Sequence, residues 1–198
     1  MMRPWIKFLA PVSLLLLLAC GHPVSGVKSE PIDLPVSPSW RAVADRLEVV
    51  VPQDLIMPDT KISSLIFEQP SETLKRWVRA RIATDKSTRG LIVATIQKAE
   101  MQELSLPRKQ GFSSIFAANP NTKLSVNFAI SLKAFDSENR EVGRVNVDVQ
   151  VASEFVDDDG GEKKRSYWMR LLRSAVDNLD AELARQFPTG FPDFERLN

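Results

Sequence analysis

Leu124-Ser125-Val126-Asn127-Phe128-Ala129-Ile130-Ser131-Leu132-Lys133-Ala134 and, after a polar break, Val145-Asn146-Val147-Asp148-Val149-Gln150-Val151-Ala152 decide the fold of this chain. Apolar side chains recur at every second position in both stretches. Successive residues of a strand point to opposite faces, so each stretch is a strand with one dry and one wet side. Between them lies Asp136-Ser137-Glu138-Asn139, and two half-buried strands with a short polar connection are most simply an antiparallel hairpin. Its apolar face requires a second layer of structure to cover it.

The neighbouring segments supply that layer. Leu91 to about Met101 reads as another strand, apolar on both faces near its start, and Leu47-Glu48-Val49-Val50-Val51 is a β-rich run ending at Pro52. Ile62 to Phe67 is a weaker apolar run with the length of a short edge strand. Pro70-Ser71-Glu72 opens a helix in which Ser71 is the expected N-cap and Glu72 suits the positive end of the dipole. Leu74, Trp77, Val78, Arg81 and Ile82 recur at helical spacing, and Asp85 to Gly90 is the expected turn after them. A long helix from about Lys164 to Phe187 carries the stripe Trp168, Leu171, Leu172, Ala175, Val176, Leu179 and Leu183, with Pro188 and Gly190 as its stop. The order β-α-β-β-β-α predicts an α+β two-layer sandwich: one mainly antiparallel sheet with both helices on one face.

The chain has 198 residues, and its start has a different character from the rest. Arg3 and Lys7 precede the apolar run Phe8 to Ala19, which has the length and flanks of a signal peptide and is shorter than the roughly 20 residues a spanning helix needs. Residues 1–19 are therefore read as signal and residues 20–40 as a tether, extended by Pro23, Pro31, Pro35 and Pro38. Residues 41–187 form the folded domain and 188–198 a tail. Without the signal segment the charges nearly cancel, which argues against a nucleic-acid binder, since those show a basic excess.

The inventory of reactive side chains is short. Cys20 is the single cysteine and His22 the single histidine, both in the tether. Ser/His/Asp and Cys/His catalysis and zinc sites built on histidine or thiolate are excluded on those counts. Asp157-Asp158-Asp159-Gly160-Gly161-Glu162 lacks the alternating ligands of a calcium loop and reads as an acidic connection into the last helix. No metal or cofactor is expected, and an enzyme working through carboxylates such as Asp148 or Glu154 lacks a paired second acid. Lys75, Arg76, Arg79, Arg81 and Arg89, with Lys163, Lys164, Arg165, Arg170 and Arg173, are either solvated helix faces or contacts for anionic lipid phosphates. Arg81 differs from them in lying on the face of Leu74, Trp77 and Val78. The long connection Pro107 to Pro120 carries Phe112, Ile115 and Phe116 beside basic residues. These three either contact a partner or membrane surface, or fold back to cap the sheet.

Leu17-Leu18-Ala19-Cys20 resembles the lipobox of bacterial lipoprotein precursors. That resemblance implies cleavage before Cys20, a diacylglycerol on its sulfur and an acyl chain such as palmitate on the new amino terminus. Gly21 after the anchor, by resemblance to sorting signals, implies the periplasmic face of the outer membrane, with the inner membrane as the alternative. The topology over roughly Leu47 to Phe187 is similar to that of LptE, the lipoprotein that accompanies the lipopolysaccharide-assembly barrel. Cys20-Gly21 matches that family's opening, while His22-Pro23-Val24 replaces its aromatic-x-Leu-Arg continuation. Pro70 to Trp77, Arg79-x-Arg81, the strand after Gly90 and Tyr167-Trp168-Met169 more closely resemble small Gram-negative lipoproteins of no assigned activity. Auxiliary lipoproteins of ABC-type lipid transport share the plan. The resemblance implies a non-catalytic, lipid-anchored protein that binds or braces a barrel or a lipid-transport assembly. A carrier of lipid or lipopolysaccharide is the alternative.

Overall fold

The computed structural model describes residues 32–34, 39–55, 69–107, 120–157, 161–191 and 194–196. The expected hairpin is its centre: β5 (Thr122–Phe135) and β6 (Glu141–Phe155) pair antiparallel along nearly their whole length. Asp136 shapes the turn, its Oδ1 accepting from the backbone N–H groups of Glu138 and Arg140 at 2.9 Å each. β4 (Leu91–Ser105) pairs antiparallel with the other side of β5, four residues longer than the expected Leu91–Met101. β2 (Arg46–Val50) lies parallel to the first third of β4, from Arg46 opposite Leu91 to Val50 opposite Thr95. The sheet order is β2-β4-β5-β6, mixed through that one parallel pair.

A parallel pair needs a crossover, and helix α1 (Pro70–Arg81) supplies it between β2 and β4. Its cap differs from the expected one: Gln69 is the N-cap, and Ser71 lies buried within the first turn. Pro70 causes the shift, because a proline has no N–H to satisfy and a φ suited to the first helical position. The helix also stops earlier than the run to Asp85–Gly90 implied. Ile82 is already extended and begins β3 (Ile82–Thr84), which lies parallel to β1 (Trp40–Ala42). On the other side of β1 runs antiparallel β7 (Phe194–Arg196), giving a second sheet of order β3-β1-β7. Residues assigned above to tether and tail thus belong to the fold. The apolar run Ile62–Phe67 lies outside the described residues.

Helix α2 (Gly161–Gly190) starts beside the far end of β4 and returns to the β5–β6 turn. Both helices cover one face of the large sheet. Leu74, Trp77 and Val78 of α1 join the whole α2 stripe, Trp168 to Leu183, in one core with Ile92, Phe128, Ile130 and Val147. Burial of each large side chain is worth about 1.5–3 kcal/mol, so this one layer contact dominates the fold. Away from the half-buried Leu91, Val93 and Phe135, the opposite sheet face carries mostly small and polar groups. There Lys98 Nζ reaches Asp148 Oδ2 at 3.5 Å across β5, passing over Ala129, which pairs with both residues.

Candidate interaction surface

Arg81, the arginine on the apolar face of α1, is buried and fully engaged. Its Nε donates to Asp180 Oδ1 at 2.6 Å, its Nη2 to Asp180 Oδ2, and its Nη1 to Ser39 Oγ at 3.2 Å. Trp77 Nε1 donates to the same Asp180 Oδ1 at 2.9 Å. One carboxylate therefore joins α1 to α2, and the arginine extends the joint to the chain before β1. That chain is held a second time: Ser39 N donates to Arg81 O at 3.0 Å, Arg76 Nη2 to Ile32 O at 3.3 Å, and Ile32 is itself part of the core. Trp40 then packs against Phe187 near the end of α2, the ring centroids 4.4 Å apart and the planes tilted by 36°.

The two ends of the domain have different chemistry. At the end where α2 begins, Lys164 Nζ bridges Glu103 at 2.8 Å and Asp157 at 2.7 Å. Partial burial works against the charge of Lys164, but the hydrogen bonds and charges of Asp157 and Glu103 outweigh it and hold its pKa above the ordinary lysine value. Tyr167 stacks on Phe155 at 4.4 Å, and the Arg170 guanidinium lies over the Tyr167 ring at 4.3 Å. These contacts account for two of the basic residues at the start of α2 as structural ones.

At the other end lies an apolar groove of about 240 Å³, lined among others by Val43, Leu91, Phe135, Val142 and Phe191, with Asp136, Ser137 and Thr88 at its polar positions. Val43 is 47% exposed and Val142 50%. Each has a local cause. Val43 sits at the corner between β1 and β2. Val142 is the extra residue of a bulge, since Ala134 pairs with Gly143 but Phe135 with Glu141. Phe191, which lines the groove, is held by a close backbone approach beside it: a Cβ on Gly143 would stand 2.6 Å from Gly190 O and from the Phe191 ring. A Cβ on Gly190 would meet Val145 Cγ2 at 2.3 Å and Arg144 O at 2.6 Å. Only glycine at both positions lets the end of α2 and the Phe191 ring close against β6.

Cys20, His22, Phe112, Ile115, Phe116, Asp158 and Asp159 lie outside the described residues. Of the two carboxylates considered for catalysis, Asp148 pairs with Lys98, and Glu154 stands exposed near the end of β6. Among the described residues no group of three or more histidine, cysteine, aspartate or glutamate side chains is placed to hold a metal. Sequence reasoning did not find the groove, because its lining comes from short segments spread between residues 43 and 191. The paired glycines Gly143 and Gly190 were the available signal.

No family model matches the chain, and no curated protein does. Among solved structures it is similar to a minor lipoprotein of Acinetobacter baumannii, at 12% identity and a TM-score of 0.38 over 78% of this chain and 96% of that one. It is similar to a Xanthomonas campestris protein of the DUF330 family at 12% identity and a TM-score of 0.39, covering 79% of this chain and 95% of that one. Rare lipoprotein B of Shewanella oneidensis aligns at 11% identity with a TM-score of 0.32, over 72% and 94% of the two chains. Likeness at this level carries no function across to this chain. Resemblance to LptE stays an expectation from sequence.

Proposed function

We propose that this chain is a lipid-anchored, non-catalytic protein of the Gram-negative cell envelope, whose α+β domain binds or braces an outer-membrane barrel or a lipid-transport assembly. The observation that carries the reading is Cys20 at the end of Leu17-Leu18-Ala19-Cys20, directly after a signal-length apolar run. Two or more acyl chains at that cysteine hold a protein stably to a bilayer, whereas one holds only marginally. The groove supports a docking role over a carrying one. Its volume of about 240 Å³ lies below the roughly 300–1,000 Å³ of ordinary small-molecule pockets, and it is bordered by two exposed valines. A protein surface is the natural occupant of such a patch.

The test is metabolic labelling with an alkyne fatty acid, combined with membrane fractionation and in vivo crosslinking. The parent chain is expected to take up label, to sediment with the outer membrane and to crosslink to one envelope protein. Cys20→Ser should take up none and should persist as precursor or appear as soluble protein. Mature, membrane-bound Cys20→Ser would refute the anchor. Lipid co-purifying in stoichiometric amount, with no protein neighbour, would replace the bracing role with that of a carrier.

A further inference from the structure

We propose that a second copy of this chain pairs with the free edge of β6, joining two four-stranded sheets into one across a two-fold axis at Val149. The pairing is independent of the lipid anchor at Cys20. β6 ends the order β2-β4-β5-β6, so one side of its backbone has no strand beside it among the described residues. The direction of its polar groups follows from the ladder. Leu106 N donates to Asn121 O at 2.7 Å, in step with Ser105 opposite Thr122. Odd-numbered residues of β5 therefore bond toward β4 and even-numbered ones toward β6. The residues of β6 that face those even-numbered ones, from Val145 to Phe155, are themselves odd-numbered. Phe155 O agrees, accepting from Asn121 N at 3.2 Å. The N–H and C=O groups of Arg144, Asn146, Asp148, Gln150, Ala152 and Glu154 thus point away from the sheet, and all six residues are exposed. Among the described residues no backbone hydrogen bond from outside the sheet reaches them.

The two edges of the sheet differ in how they are guarded. β2 has five residues, carries the ion pair of Arg46 with Glu48, and is followed closely by Pro52. β6 has 15 residues with no proline and no lysine, and its inward side chains Val145, Val147, Val149 and Val151 bring no charge. Asp148, in mid-strand, is balanced by Lys98. Such an edge is a template for another strand. It is also complementary to itself. Past the Val142 bulge the regular run is Gly143 to Phe155, and its midpoint is Val149. A second copy placed antiparallel about that point sets Arg144 opposite Glu154, Asn146 opposite Ala152 and Asp148 opposite Gln150, each of them twice. In all these pairs outward groups meet outward groups, which gives about twelve backbone hydrogen bonds, two from each pair. Arg144 bonds Glu141 through Nε and Nη2, and its Nη1 is a further donor for the carboxylate of the second copy. A two-fold axis at Asp148 would instead set that carboxylate against its own copy, which is unfavourable. The assembly closes, because both free edges are consumed and a guarded β2 is left at either side.

The test is sedimentation of the full chain in detergent micelles at micromolar concentration, where a dimer is expected. With Asn146→Cys and Ala152→Cys in the same chain, mild oxidation should trap that dimer, since the facing Cα atoms stand about 5.5 Å apart. Either cysteine alone should trap no more than the parent with Cys20, because like positions lie about 20 Å apart in this register. Gln150→Pro removes an outward N–H without touching the ladder to β5, and should give a monomer with nearly the parent Tm. Arg144→Glu should weaken the dimer about tenfold, two charge pairs being lost, and adding Glu154→Arg should restore it. A monomeric parent overturns the proposal. So does a dimer that survives Gln150→Pro and escapes the cysteine pair, because its interface lies elsewhere. If Gln150→Pro does not fold, the charge exchange decides: a dimer that Arg144→Glu leaves unchanged is not formed by this edge.

Discussion

Asp180→Ala is the most informative single change to this fold. The carboxylate accepts from Arg81 Nε and Nη2 and from Trp77 Nε1, so its loss leaves a guanidinium bonded only to Ser39 Oγ and an indole N–H without its acceptor. Breaking a fully buried ion pair from one side costs about 3–5 kcal/mol. Here the Arg81 side chain is 11% exposed and Asp180 26%, so water can enter the vacated position and recover part of the loss. The expected cost is about 2–3 kcal/mol, the lower part of the range for a damaged buried network. For a domain of this size that lowers Tm by roughly 5–10 °C. Asp180→Asn keeps an acceptor for Trp77 and should lose about half as much. Replacing both charges, as Arg81→Met with Asp180→Leu, should recover the part of the loss due to the unpaired guanidinium, while the Trp77 indole N–H stays without its acceptor. Urea melts followed by tryptophan fluorescence read all three. Asp180→Ala within about 0.5 kcal/mol of the parent, the range of ordinary surface changes, would refute the joint. So would a double variant as unstable as the single one.

Three further outcomes follow from the same contacts. Gly190→Ala sets a methyl 2.3 Å from Val145 Cγ2 and 2.6 Å from the Arg144 carbonyl, and should cost about 1–3 kcal/mol in a denaturant melt. Ser174→Ala on the exposed face of the same helix is the control and should stay within about 0.5 kcal/mol. Lys164→Met removes both bridges to Glu103 and Asp157 and should cost about 1 kcal/mol at low ionic strength, less in high salt. Because the folded pKa of Lys164 is raised, its contribution is complete below the ordinary lysine value of 10.5 and fades only at higher pH, so the cost should be flat from pH 6 to 9. Hydrogen bonds from Arg185 and then Gln186 lower the Glu182 carboxyl from 4.5 to about 2. That contribution is present above pH 4.5 and is lost as pH falls toward 2. Tm of Glu182→Gln should accordingly approach that of the parent on acidification, and a constant gap from pH 5 to 2.5 would contradict the assignment.

The helices and long strands were legible because each satisfies its periodicity over many residues. All seven apolar positions named for α2 are buried, as are Leu74, Trp77, Val78 and Arg81 of α1 and Ile82 at the start of β3. The three-residue strands were not legible, since Trp40–Ala42 and Ile82–Thr84 are too short to display an alternation, and pairing between segments 42 residues apart leaves no local trace. Trp40 was the available hint, a large aromatic at the end of a polar, proline-bearing tether. The α1 joint was half legible. Arg81 announced itself by interrupting an apolar stripe, but Asp180 stands at the margin of the α2 stripe, where a carboxylate looks like any solvated residue. β4 looked apolar on both faces for a local reason: Leu91 and Val93 are half-buried on the outer side while Ile92 and Ala94 enter the core.

β4 has one more property, and it concerns chain length. Its inward residues are Ile92, Ala94 and Ile96 before the irregularity at Gln97, and Ala99 and Met101 after it, with Ile96 and Lys98 opposite consecutive residues Ile130 and Ala129 of β5. Parity along the strand changes once, at Gln97. Removal of Gln97 would bring both halves into a single unbroken alternation and leave every pairing with β5 in place. Loss of any residue from Ile92 to Ile96 would instead turn core side chains to the outside. Gln97 is thus the place in this strand where a shorter chain could still fold, and relatives aligned to this protein should carry their single-residue gaps there.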